Sequence, residues 1–138
     1  MNAMEMSKDG YLLLHANEWW KDLGREELQK YIAQNHAWLE GLMASGKVKA
    51  GQALGRSGAM VSGKNGRSIT DGPFAEAKEV IGGYLLLNVE TLEDAVAVAK
   101  TCPCLAFGGK VEVRPLTNVC PSQTRLEELT REEEVAVA

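Results

Sequence analysis

Cysteine is scarce in this chain of 138 residues: there are three, Cys102, Cys104 and Cys120. An odd number, with no secretory feature beside it, argues against a disulfide framework. Cys102-Pro103-Cys104 lacks the two-residue spacer of zinc knuckles and thioredoxin-type motifs. Only His15 and His36 are available to complete a metal site. The thiols therefore read as buried or incidental, and no metal and no cofactor is expected. Long apolar runs are missing as well. None approaches the roughly 18 residues that a membrane span needs, so no membrane partner is expected. Positive charge is outnumbered, 15 Lys and Arg against 19 Asp and Glu. That balance excludes a general nucleic-acid or acidic-membrane partner, whose phosphates demand a basic face. Met1 to Gly10 carries acids and no apolar signal region, so a cytoplasmic location is the expectation. Gly51 to Gly66 is glycine-rich but has neither a Gly-Lys-Ser/Thr ending nor dinucleotide spacing.

What remains is a chain that is 45% hydrophobic and 25% charged, enough for one domain around one core. Tyr11 to His15 is a short apolar run bounded by Gly10 and predicts a central strand. From Arg25 to Ser45 the pattern is helical. Leu28, Tyr31, Ile32, Trp38, Leu39, Leu42 and Met43 share one arc of about 140° at 100° per residue. Gly46 stands where a C-terminal cap belongs. Val48, Ala50 and Leu54 predict a second strand with Lys47 and Lys49 on its wet face. Ala59 to Ser62 and Arg67 to Thr70 flank Gly63-Lys64-Asn65-Gly66, a hairpin signal.

A further strand is predicted around Val80 to Val89. Gly82-Gly83 within it calls for a bulge or a close backbone approach. Thr91-Leu92-Glu93-Asp94 opens a second helix that must stop before Pro103. Val111 and Val113 alternate with Glu112 and Arg114 in a last strand, which Pro115 ends as it would on a sheet edge.

The order strand, helix, strand, hairpin, strand, helix, strand predicts an α+β fold, a ferredoxin-like βαβ repeat with an inserted hairpin. Its open sheet face needs a cover. A self-complementary homodimer with a barrel-like shared interior is the expected solution. The domain is expected over residues 10–117, after a tail of residues 1–9. Residues 118–138 form an acidic extension in which a helix starts near Thr124, either docked or frayed.

Several residues could carry chemistry, and each has a structural reading beside the functional one. His36 lies at the edge of the first helix's apolar arc, suited to proton exchange near neutral pH or to a half-buried interface. Asp71 could orient a histidine and fix its tautomer, or simply close a turn before Gly72-Pro73. Phe74 could wall a pocket or plug the core. Gly72 could bring backbone amides to a ligand or permit the bend. His15, Lys78, Tyr84 and Arg114 could meet a ligand or sit in ordinary surface pairs. Asn35 falls near the middle of the apolar arc, where an unpaired amide is costly, so it should have a backbone or ligand partner.

The block Thr70-Asp71-Gly72-Pro73-Phe74-Ala75-Glu76 with Lys78-Glu79 cannot continue a helix or ladder strand and must form a shaped loop. With Gly82-Gly83-Tyr84, Val111-Glu112-Val113-Arg114-Pro115 and the histidine in Gln34-Asn35-His36, it resembles the YCII-related (DGPF) family of small bacterial proteins. The resemblance runs from about Tyr11 to Leu116. It implies a dimeric α+β barrel with a small-molecule pocket and a His-Asp active site, which maps onto His36 and Asp71. Gly72, Pro73, Phe74 and Tyr84 are then pocket residues. It further implies an association with sigma factors of the extracytoplasmic-function group. Two functions stay open: a general-base enzyme of elimination or isomerisation type, and a non-catalytic metabolite-binding or sigma-factor-associated regulatory protein.

Overall fold

A computed structural model of the chain describes residues 10–71 and 81–137. Its elements run β1 (Tyr11–Ala16), α1 (Arg25–Ala44), β2 (Val48–Ala53), β3 (Ala59–Ser62), β4 (Ser68–Asp71), β5 (Ile81–Leu87), α2 (Leu92–Lys100), β6 (Val111–Pro115) and α3 (Pro121–Val137). Four strands form one antiparallel sheet in the order β2-β5-β1-β6. The apolar β1 is therefore central, and Pro115 ends a true edge strand, where its missing donor does no harm. This is the ferredoxin-like α+β arrangement, with β3 and β4 paired in a separate two-stranded ribbon.

Alternation along the strands decides where the core lies. Leu13 on β1 and Leu85 and Leu87 on β5 turn toward the helices and pack with Leu42 of α1 and Ala95, Val98 and Ala99 of α2. Their cross-strand neighbours Leu12, Leu14, Tyr84 and Leu86 point to the opposite face, in register with Glu112 and Arg114. Those two charges pair at 3.7 Å in an exposed position, where such a pair contributes little.

The helices begin and end for local reasons. Glu26 and Glu27 complement the positive end of α1, and Gly46 at φ +72° closes its other end. The Lys47 amide reaches the Leu42 carbonyl at 3.0 Å and the Gly46 amide reaches Met43 at 3.1 Å. This is the paired bonding that a left-handed glycine permits. The α2 start is capped by Thr91, whose Oγ1 accepts from the Asp94 amide at 3.0 Å. Such a cap contributes about 1 kcal/mol.

Five details depart from the sequence expectation. The strands of the hairpin end at Ser62 and resume at Ser68, so Arg67 lies outside the ribbon. Asn65 and Gly66 both adopt positive φ, as a tight turn would ask, but Lys64–Gly66 winds into a single 3-10 turn and widens the loop. On β2 the register shifts between Val48 and Ala50. Lys49 therefore leaves the simple alternation that placed it on the wet face.

On α1, Ile32 and Met43 are 44% and 60% exposed although they lie on the apolar arc. The helix packs against the Pro103–Phe107 turn and edge strand β2, and these contacts leave Ile32 and Met43 largely uncovered. Finally, α3 begins at Pro121, ahead of the expected Thr124, and none of its described residues is buried. No described helix is long and apolar enough to cross a membrane.

Candidate functional site

The row of residues that β1, β5 and β2 present to the helices changes character along the strands. Leu13 pairs with Leu85, but one step on His15 pairs with Gly83, and Gly83 pairs with Ala53. Where the leucines stop, the sheet offers almost no side chain to α1. The result is a cleft of about 450 Å³ between α1 and the β2-β5 side of the sheet. Tyr31, Asn35, Leu39 and Met43, one i,i+4 row of α1, form its roof. Gly51, Gly82 and Gly83 line the sheet side, with His15, Asn17 and Trp20 at one end.

These glycines are required by space. A Cβ on Gly51 would stand 2.5 Å from Leu85 Cδ2 and 2.9 Å from the Tyr84 carbonyl oxygen. Gly82 is the extra residue of a bulge opposite His15 and Ala16. The bulge and close approach expected of Gly82-Gly83 are both present.

Asn35 has no partner for its Oδ1, a buried atom facing no donor among the described residues. The sequence had marked this amide as needing a partner, and the cleft supplies no protein group for it. Beside it, Tyr31 stacks edge-on against Trp19 at 4.8 Å and Phe107 at 5.9 Å. Burial, followed by the nearby Cys102 and Cys104, pushes the Tyr31 phenol up to about 12. It remains a hydrogen-bond donor through the physiological range.

At the inner end of the cleft His15 meets the Cys-Pro-Cys turn. Its Nε2 lies 3.6 Å from Cys102 Sγ, and its ring stands edge-on to Trp38 at 6.2 Å. Trp38 Nε1–H in turn donates to Thr101 Oγ1 at 2.7 Å, beside Cys102. The sulfurs of Cys102 and Cys104 are 3.4 Å apart. Both thiols are buried, in line with the sequence reading, whereas Cys120 is exposed.

A proton shared with Cys104 is the largest cause that pulls the Cys102 thiol from the ordinary 9.0 to about 5, with His15 adding to it against burial. Cys104 moves upward for the same reason. The folded pair therefore favours a single thiolate, on Cys102 rather than Cys104. Its contribution to stability is complete above the ordinary thiol value and is lost as pH falls through about 5. Above the ordinary value, the proton retained on Cys104 acts in the opposite sense. In a Cys120→Ser background, thiolate absorbance is expected to fall by one thiolate per chain with a midpoint near pH 5. A midpoint in the ordinary thiol range would remove this picture of the pair.

The residues singled out from sequence are placed unevenly. Tyr84 is half-buried, its backbone bordering the cleft and its side chain on the opposite sheet face. His36 is exposed on α1 and does not line the cleft, and Asp71 is exposed at the end of β4. Their side chains form no hydrogen bond or ion pair with each other among the described residues. Gly72, Pro73 and Phe74 lie outside the described residues, as does Lys78. Trp20, Gln52 and Lys49 line the cleft without having been marked in the sequence. A helix wheel cannot show which loop or edge strand will face it.

These features define a small ferredoxin-like α+β domain with a glycine-floored cleft under its first helix. The chain belongs to the YCII-related domain family, whose sequence profile matches residues 8–119. No curated protein matches the sequence.

Proposed function

We propose that the protein binds a small, partly apolar molecule in the cleft beneath α1, with a turn of the Asn35 side chain bringing its enclosed Oδ1 to a hydroxyl or amide donor of the ligand. The orphaned amide carries this reading. A buried acceptor without a partner is unfavourable by about 1–3 kcal/mol, and a ligand donor would recover it. The surroundings suit a ring-sized molecule: Trp20, Tyr31, Leu39 and Leu85 offer apolar walls, and His15 and Lys49 offer polar ends. Within this cleft the group suited to exchange a proton is His15. A general-base reaction at His36 and Asp71 would act on a substrate held outside this cleft, where both side chains are exposed. The homodimer belongs to the same proposal. Leu12, Tyr84 and Leu86 on the open sheet face, and Met60, Val61 and Ile69 on the exposed hairpin, are the apolar surface it would cover.

Thermal denaturation against a panel of hydroxylated and carboxylated ring metabolites tests the reading, with mass spectrometry to detect product and sedimentation to give the oligomer. Wild type and His36→Ala are expected to respond to the same ligand. Asn35→Leu is expected to lose the response while its ligand-free melting temperature rises, because the orphaned acceptor is gone. A response lost in His36→Ala and kept in Asn35→Leu would transfer the site to the His36-Asp71 pair. Conversion of the ligand would make the protein an enzyme, and binding without product a sensor or accessory protein. A monomer at all concentrations would remove the dimer.

A further inference from the structure

The geometry points to a redox-active dithiol at Cys102 and Cys104, which reduces a small hydroperoxide and stores the two electrons' loss as a disulfide within the Cys-Pro-Cys turn. Four observations carry it, and none depends on the cleft having a ligand. The two sulfurs already lie 3.4 Å apart, so closure to a disulfide bond of about 2.05 Å asks for a shift confined to one turn. The backbone places them there: Cys102 is extended, at ψ 123°, and Pro103 opens the 3-10 turn that contains Cys104. Packing holds the turn, since a Cβ on Gly109 would stand 2.9 Å from both Cys104 Cβ and Trp19 Cδ2. A histidine nitrogen lies 3.6 Å from one sulfur alone, that of Cys102, so the two thiols are chemically distinct.

The division of labour follows from these positions. Cys102 is 3% exposed and Cys104 is fully enclosed. Cys102 is therefore the sulfur that a molecule little larger than water reaches first, and His15 and the Cys104 thiol both favour its thiolate. Tyr31 of α1 is a further titratable group coupled by charge to the pair. In the first step the Cys102 thiolate attacks one peroxide oxygen. An S–O bond forms, the O–O bond breaks, and the departing hydroxide takes a proton to leave as water. In the second step the Cys104 sulfur attacks Cys102, the S–S bond forms, and the hydroxyl leaves as water with the Cys104 proton. The pair is oxidised by two electrons and one hydrogen peroxide becomes two waters. A disulfide closed over so short a ring is strained, and strained disulfides are the readily reduced ones, so an external thiol regenerates the pair.

The test is titration of the full chain, carrying Cys120→Ser, with hydrogen peroxide, followed by intact mass and peptide mapping. The expected product has lost two hydrogens, maps to a Cys102–Cys104 linkage, and returns to the starting mass with dithiothreitol. With Cys104→Ser added, the reaction should stop at a single added oxygen on Cys102, trapped by a 1,3-diketone. With Cys102→Ser, Cys104 should remain unmodified. His15 is a positioning residue here: His15→Gln should slow oxidation at neutral pH and move its pH profile upward, a shift that a merely structural loss would not produce. Recovery of both cysteines as free thiols at a peroxide level that consumes Cys120 in the parent chain overturns the proposal. So does further oxidation of Cys102 without a linkage to Cys104.

Discussion

Replacement of Leu87 by Ala is expected to destabilise the fold by about 3–5 kcal/mol, the upper part of the range for buried leucines. Leu87 has no exposed surface and lies on β5, between the edge strand β2 and the central strand β1. Both helices close over this region, so little can relax into the space left behind. Against a total stability of about 5–15 kcal/mol, such a loss removes a large share of the folded state's margin. Urea denaturation of wild type and variant measures it, with Val137→Ala as the control. Val137 is 88% exposed on α3 and its truncation should stay within about 0.5 kcal/mol. A Leu87→Ala loss no larger than that of the control would mean that the core is not where the strand alternation puts it.

Gly82→Ala is expected to be the next most damaging change, at about 1–3 kcal/mol, although it adds a single methyl. The new Cβ would lie 2.9 Å from Asn17 Cα, 3.1 Å from the Ala16 carbonyl oxygen and 3.2 Å from Asn17 Cβ. Two of these are backbone atoms of the chain leaving β1, so no side-chain rotation relieves the contact. The bulge that Gly82 forms opposite His15 and Ala16 would have to open, and it borders the cleft. Gly24→Ala provides the contrast, because a Cβ there meets nothing within 4 Å. Equal melting temperatures for the two variants would show that the bulge yields more easily than its close backbone contacts imply. If Gly82→Ala folds, its ligand response should also weaken, since the cleft wall moves with the bulge.

The two substitutions illustrate where the sequence was informative. Gly82-Gly83 announced a bulge because glycine inside an apolar strand has no packing reason to be there. Gly46 announced a helix end, and Thr91 with Asp94 announced a helix start, through bonds that close within a few residues. The apolar run of β1, the strand around Gly82-Gly83 and the alternation along β6 gave the sheet and, with the two helices, the fold class. Asn35 was legible as an anomaly because a helix wheel needs only the helix itself to show a polar residue on an apolar arc.

The cleft was not legible, because it arises where Gly83 and Ala53 are brought beside His15 by strand pairing across long stretches of chain. The contact between His15 and Cys102 joins residues 87 apart in sequence, and no local pattern marks it. For the same reason the wheel, which put His36 at the edge of the apolar arc, did not show that it is exposed and outside the cleft. A wheel gives a direction from the helix axis, whereas packing against β2 and the Pro103–Phe107 turn decides what that direction meets. Local bonding and side-chain period, which act within a few residues, were thus determined by the sequence read alone. The floor of the cleft, the orphaned acceptor above it and the thiol pair beside its histidine were decided only by tertiary packing. Each of them depends on surfaces from separate elements meeting at distances of a few ångströms.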